Sequence, residues 1–161
     1  MMNKVSLNSK VSLLEIVLSV LIFAAAGIIM LNCFGIARFT QIRANDKTMA
    51  GSIIQSDLEF IKSLNSSDEM YEFLNNSYVI KQLDSSNAYI KYYDENWVQG
   101  KGKEYTVTIS IDQENLSSGE LIKINIIAEK EMPYPFIRND LGEIYSIESK
   151  KFFSFYGGAY E

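Results

Sequence analysis

From Ile16 to Ala37 the chain runs through 22 residues without a charge, and Ser19 and Asn32 are their only strongly polar members. A helix that crosses a bilayer needs about 20 apolar residues. The segment is long enough to cross, and the rest of the molecule has to be arranged around it. Lys4 and Lys10 precede it with no acidic residue before Glu15, while Arg38, Arg43 and Lys47 follow it with Asp46 among them. Lys/Arg counts on the two sides differ little, but the short basic N-terminus fits a signal-anchor. That places the N-terminus in the cytoplasm and the C-terminal part outside it. Three plainer readings stand beside this one. Ala24-Ala25-Ala26 has the small residues of a secretory cleavage site, although the apolar run continues beyond it. Cys33 is the acceptor a lipoprotein signal would need, with Asn32 where a small residue is expected. The third is an ordinary single-pass anchor.

With 161 residues the chain has room for one domain and an appendage. Fifteen basic against twenty acidic side chains leave a net charge of −5 and a pI near 4.9, which argues against a nucleic-acid partner. The absence of histidine removes Ser-His and Cys-His catalysis and most zinc sites. A single cysteine removes any internal disulfide and any Cys-x-x-Cys motif.

Glu15 interrupts the apolar series Val11, Leu13, Leu14, Ile16, Val17, Leu18. A charge near mid-membrane costs about 2.5–3.5 kcal/mol on insertion scales, and such residues are functional candidates by default. At the membrane edge the carboxylate reaches the headgroups cheaply; deeper in an apolar assembly it needs a cation.

The run from Lys10 to Phe23, KVSLLEIVLSVLIF, resembles the N-terminal processing segment of type IV pilins and type II secretion pseudopilins. Members of that family carry a short basic leader, then a mature chain whose fifth residue is a glutamate inside a long hydrophobic helix. With Val11 as first mature residue, Glu15 is the fifth. The resemblance implies cleavage between Lys10 and Val11 by a prepilin peptidase and N-methylation of Val11. It also implies that Glu15 pairs with the N-terminal ammonium of a neighbouring subunit. A free α-amino group is largely protonated at neutral pH, and a buried ion is costly until its partner arrives. Lys10 stands where the family nearly always has glycine, and Val11 where phenylalanine or methionine is usual. Such a leader suits a minor pilin or pseudopilin better than a major subunit.

Beyond the membrane-length segment, residues 38–64 contain no proline and one glycine, Gly51. On a helical wheel Phe39, Ile42, Met49, Ala50, Ile53, Ile54, Leu58, Phe60, Ile61 and Leu64 share one half, which predicts an amphipathic continuation of the helix. Asp46 and Asp57 fall inside that face. They are expected to be exposed where the helix clears the rest of the protein, with salt bridges between subunits as the other reading.

In residues 65–161 the period changes from 3.6 to 2 after a short helix at Glu69–Leu74. Ala88–Val98, Glu104–Asp112 and Glu120–Glu129 read as strands, the last two joined by a hairpin across residues 115–119. Met132–Phe136 is a break, and Glu143–Glu148 and Lys151–Tyr156 are weaker strands. The expected fold is α+β: leader 1–10, membrane or filament-core helix 11–37, amphipathic helix 38–64, and an antiparallel β head 65–161 on which that helix packs.

Asp112, Glu114, Asn115 and Glu120 gather oxygens in one loop, and Asn139, Asp140 and Glu143 in another, but neither has EF-hand spacing. No metal and no cofactor are expected. The aromatic cluster Phe152, Phe153, Phe155, Tyr156 and Tyr160 reads as core or edge strand, or else as an exposed patch. No residues form a recognisable catalytic motif, so no enzyme is expected. The expected function is a structural subunit of a pilus-like or secretion-like filament. Its partners are other pilin-type subunits, the prepilin peptidase, the assembly platform and membrane lipid. The alternative is a non-polymerising single-pass membrane protein with an outer sensing or ligand-binding domain.

Overall fold

The computed structural model describes residues 3–83, 86–135 and 142–155, with side chains from Leu13 onward except those of residues 82–87. The architecture is α+β: one very long N-terminal helix, then a five-stranded antiparallel sheet. Helix α1 spans Asn3–Ser63, 61 residues without a break, about 90 Å at 1.5 Å per residue. Its composition changes near residue 37, from apolar all round to apolar on one stripe, but its backbone does not.

Asn65 and Ser66 end α1 and start α2 (Ser67–Ser77). The Ser66 hydroxyl accepts the Glu69 amide at 3.2 Å and the Glu69 carboxylate accepts the Asn65 amide at 3.0 Å, a local exchange that satisfies donors at a helix start. The sheet is a meander, β1 (Val79–Leu83), β2 (Ser86–Tyr93), β3 (Tyr105–Leu116), β4 (Gly119–Lys130) and β5 (Glu143–Ser154), paired in sequence order. Its register sets Val107 opposite Ala128, Ile109 opposite Ile126 and Ile126 opposite Ile147. One face therefore carries Tyr105, Val107, Ile109, Ile122, Ile124, Ile126 and Ala128, all buried.

The second half of α1 covers that face with Ala50, Ile54, Leu58 and Ile61, and α2 adds Met70 and Leu74. This stripe is narrower than the wheel predicts. Ile42, Met49 and Phe60 stay at least a third exposed, and Phe60 leans on Phe73 of α2 with ring centroids 4.4 Å apart. The far end of α1 is closed from a distance: the Lys151 ammonium of β5 donates to the carbonyls of Ile61 at 3.0 Å, Lys62 at 2.6 Å and Leu64. A cation there meets both the orphan carbonyls and the negative end of the helix dipole.

The strands differ from expectation in four places. β1 is unanticipated. The expected strand Ala88–Val98 stops at Tyr93, because Asp94 turns the chain: its carboxylate accepts the amides of Asn96 at 2.9 Å and Val98 at 2.8 Å. The β3–β4 hairpin is longer than expected, its connection being only Ser117-Ser118. The two weak C-terminal strands form the single strand β5.

At the hairpin tip the Phe152 ring lies over Gly119. A Cβ there would collide with the Phe153 carbonyl oxygen and come within 2.6 Å of the Phe152 ring. Gly119→Ala is expected to cost about 1–3 kcal/mol through this overpacking. It should lower the melting temperature of the head by several degrees in calorimetry, with no change in helix content at low temperature.

Candidate functional site

Two regions of α1 carry the chemistry. The first is its uncovered half. From Leu13 to Phe34 every large apolar side chain is more than half exposed, and the most apolar stretch of the helix is 0% buried by the rest of the chain. The helix is long and apolar enough to cross a membrane, which is compatible with a single-pass membrane protein. Glu15 is exposed on it, one turn from Ser19, whose hydroxyl is used up on the Glu15 carbonyl at 2.8 Å. Lys10 and Val11 are part of the same helix, and their side chains lie outside the described residues.

The second region is the anchorage of α1 on the sheet, and here Asp46 and Asp57 correct the expectation. Neither is displayed to solvent or to a neighbour. Asp46 is 4% exposed. One of its oxygens accepts the Tyr105 hydroxyl at 2.9 Å and the Tyr134 hydroxyl at 2.6 Å, and the other faces the Trp97 indole nitrogen at 3.4 Å. Asp57, three turns on, accepts the Lys91 ammonium at 2.8 Å and the Tyr78 hydroxyl. Lys91 also lies 4.1 Å from the Tyr78 ring centroid, a cation–π contact in a partly dry setting.

Trp97 reaches Asp46 through an unusual backbone. Its φ is +61°, the left-handed region that a bulky side chain enters only at a cost of about 1–2 kcal/mol. The Asp94 turn holds it there, with the Trp97 amide donating to the Asp94 carbonyl at 3.0 Å. The indole then stacks on Tyr105 with centroids 4.2 Å apart and planes at 12°. Behind Tyr105, Lys130 donates to its hydroxyl at 2.9 Å and pairs with Glu104 at 2.9 Å. The buried carboxylate is thus met by three neutral donors, with a cation one bond further away.

These contacts move the phenols. Burial, reinforced by the hydrogen bond and charge of Asp57, pushes Tyr78 well above the ordinary tyrosine range. Burial and the Asp57 charge lift Tyr93 to about 12. Burial also raises Tyr105, with its bond to Asp46 adding and Lys130 opposing. Lys130 loses basicity to burial but gains more from Tyr105 and Glu104, so it ends above its usual value. Burial lowers Lys151.

The oxygen-rich hairpin does not converge on a point. Because β3 continues to Leu116, strand alternation sends Asp112 and Glu114 to the outer face, where Lys123 meets them at 3.6 and 3.3 Å. Asn115 and Glu120 are paired across the inner face. Among the described residues no group of three or more His, Cys, Asp or Glu side chains is arranged to hold a metal ion. Asn139 and Asp140 lie outside the described residues, and Glu143 accepts the Ser146 hydroxyl at 2.6 Å. The aromatic cluster is divided: Phe153 is core, Phe152 and Phe155 are exposed, and Tyr156 and Tyr160 lie outside the described residues. No family model, no curated protein and no solved structure matches the chain.

The anchorage generates two predictions. Asp46→Ala strands three buried donors and is expected to cost about 3 kcal/mol. Trp97 is the sole tryptophan, so a red-shifted emission that accompanies the lowered unfolding midpoint locates the damage. The second concerns alkali. The raised phenols favour the folded state while neutral, so their contribution is complete below pH 10, the ordinary tyrosine value, and is lost as the pH rises toward the folded values. Stability should fall from pH 10 to about 12, with tyrosinate absorbance appearing later in the native protein than in the denatured one.

Proposed function

We propose that the chain is a structural subunit of a pilus-like or secretion-like filament, of minor-pilin or pseudopilin character. It is held in the membrane by the first half of α1 and enters the assembly through the same surface. The observation that carries this reading is the exposed Glu15 on an apolar helix that none of the other described residues covers. A carboxylate in that position is a liability for a solitary helix. It becomes useful when an adjoining subunit brings an α-ammonium to it in a dry bundle. Removal of residues 1–10 creates that ammonium at Val11, four residues before Glu15. The head then stands on the extracytoplasmic side at the end of a stiff rod. The partners in this reading are other pilin-type subunits, a prepilin peptidase, an assembly platform and membrane lipid, and no catalysis by the head is involved.

Support also comes from the way the head is mounted. A subunit that packs through its first helix needs that helix to continue into the head without a hinge. Here one unbroken helix serves both ends, fastened by Asp46, Asp57 and Lys151.

Co-expression with a prepilin peptidase tests the reading. N-terminal sequencing should begin at Val11, and Glu15→Ala should keep the protein in the membrane while reducing its crosslinking to pilin-type subunits by about tenfold or more, given the cost of leaving one buried partner unpaired. An N-terminus still at Met1 or Met2, or equal crosslinking of mutant and wild type, overturns it in favour of a non-polymerising single-pass protein.

A further inference from the structure

The polar side chains of the uncovered half-helix differ in how they are satisfied. Ser19 donates to the Glu15 carbonyl at 2.8 Å, and just past the apolar run Thr40 donates to the Ile36 carbonyl at 2.8 Å. Such hydroxyls cost little in lipid because their own helix supplies the acceptor. Asn32 has no such outlet. Its amide is exposed, and it makes no side-chain hydrogen bond among the described residues. It lies five residues inside the end of the apolar run, about 8 Å along the axis, which is hydrocarbon depth rather than headgroup depth. An amide placed there without a partner is expensive.

We infer that two copies of this chain associate in the bilayer through Asn32. An asparagine side chain carries both donors and an acceptor, so two identical helices brought together at the same depth satisfy each other with no third molecule, the self-complementary arrangement of a two-fold interface. The surroundings permit the approach. On the Asn32 face Gly35 lies one turn after it and Ala25 two turns before it, small residues on either side, while Ile28, Ile29 and Ile36 complete an apolar surround. Insertion with all heads on one side of the membrane puts both amides at equal depth. The occupant of this face is therefore a second copy of the chain. Lipid offers no hydrogen-bonding group at that level, and a different partner would need its own polar residue there.

The inference rests only on α1 lying in a bilayer, and not on the filament reading. Its test contains no other pilin and no peptidase, so the two can fail separately. The measurement is sedimentation equilibrium of the purified full chain in density-matched micelles. The wild type should show a monomer–dimer equilibrium, and Asn32→Leu should weaken the dimer by about 5–30-fold, the range that interhelical hydrogen bonds give in model peptides. Ser19→Leu, about 140° round the helix from Asn32 and internally satisfied, should leave it unchanged, and unaltered Trp97 emission certifies the head in each variant. A wild type that is monomeric at every concentration, an Asn32→Leu dimer as tight as wild type, or equal weakening by Ser19→Leu overturns the inference.

Discussion

One helix is bare and apolar over its first half and the cover of a sheet over its second, and the boundary between the two is drawn by the seating of that second half on the sheet. Ala50, Ile54, Leu58 and Ile61 supply the burial, but apolar contact alone is non-directional and would tolerate sliding. Asp46 and Asp57 remove that freedom. Each is tied to partners from loops or strands far away in sequence, Trp97, Tyr105 and Tyr134 for one, Tyr78 and Lys91 for the other. A shift of the helix by one residue would leave buried donors and carboxylates facing nothing, a penalty of several kcal/mol. The axial and rotational setting of the rod is thereby specified, and with it the length of helix that projects free.

The asymmetry of the two clamps follows from their surroundings. Asp57 is met directly by a cation, in an environment walled by Tyr78 and Phe73. Asp46 is met by phenols and an indole, with Lys130 behind Tyr105. The second arrangement spreads the negative charge along a chain of polarised hydrogen bonds, and Trp97 accepts a strained backbone to complete it. Strain kept at a buried polar contact is the usual sign that the contact is worth more than the distortion.

Much of this was legible from residue order, and the failures have physical causes. The uninterrupted apolar run and the amphipathic stretch after it describe the long helix correctly, because periodicity over so many turns is a strong signal. Alternation in Tyr105, Val107, Ile109 and Ile111 and in Ile122, Ile124 and Ile126 locates the central hairpin for the same reason. β1 escaped because five residues with exposed Val79 and Ile80 alternate too briefly. The outward assignment of Asp46 and Asp57 failed because a wheel knows only the helix, and their partners are distant in sequence. A usable signal was present: the two carboxylates sit three turns apart in the same stripe as Ala50, Ile54 and Ile61, in a chain with ten tyrosines to donate to them. Trp97 in a left-handed conformation leaves no mark in composition at all.

The closure of the rod's far end by Lys151 has a consequence for how such a molecule is made. The lysine belongs to β5, whereas the Ile61 carbonyl it caps lies 90 residues earlier in the chain. While translation proceeds, the sheet-bound portion of the rod has open carbonyls, two undocked aspartates and an uncovered apolar stripe. It can reach its finished state only after β5 has been made and docked. A chain interrupted late in synthesis would be left unsealed, with its sticky stripe on view to proteases and folding helpers.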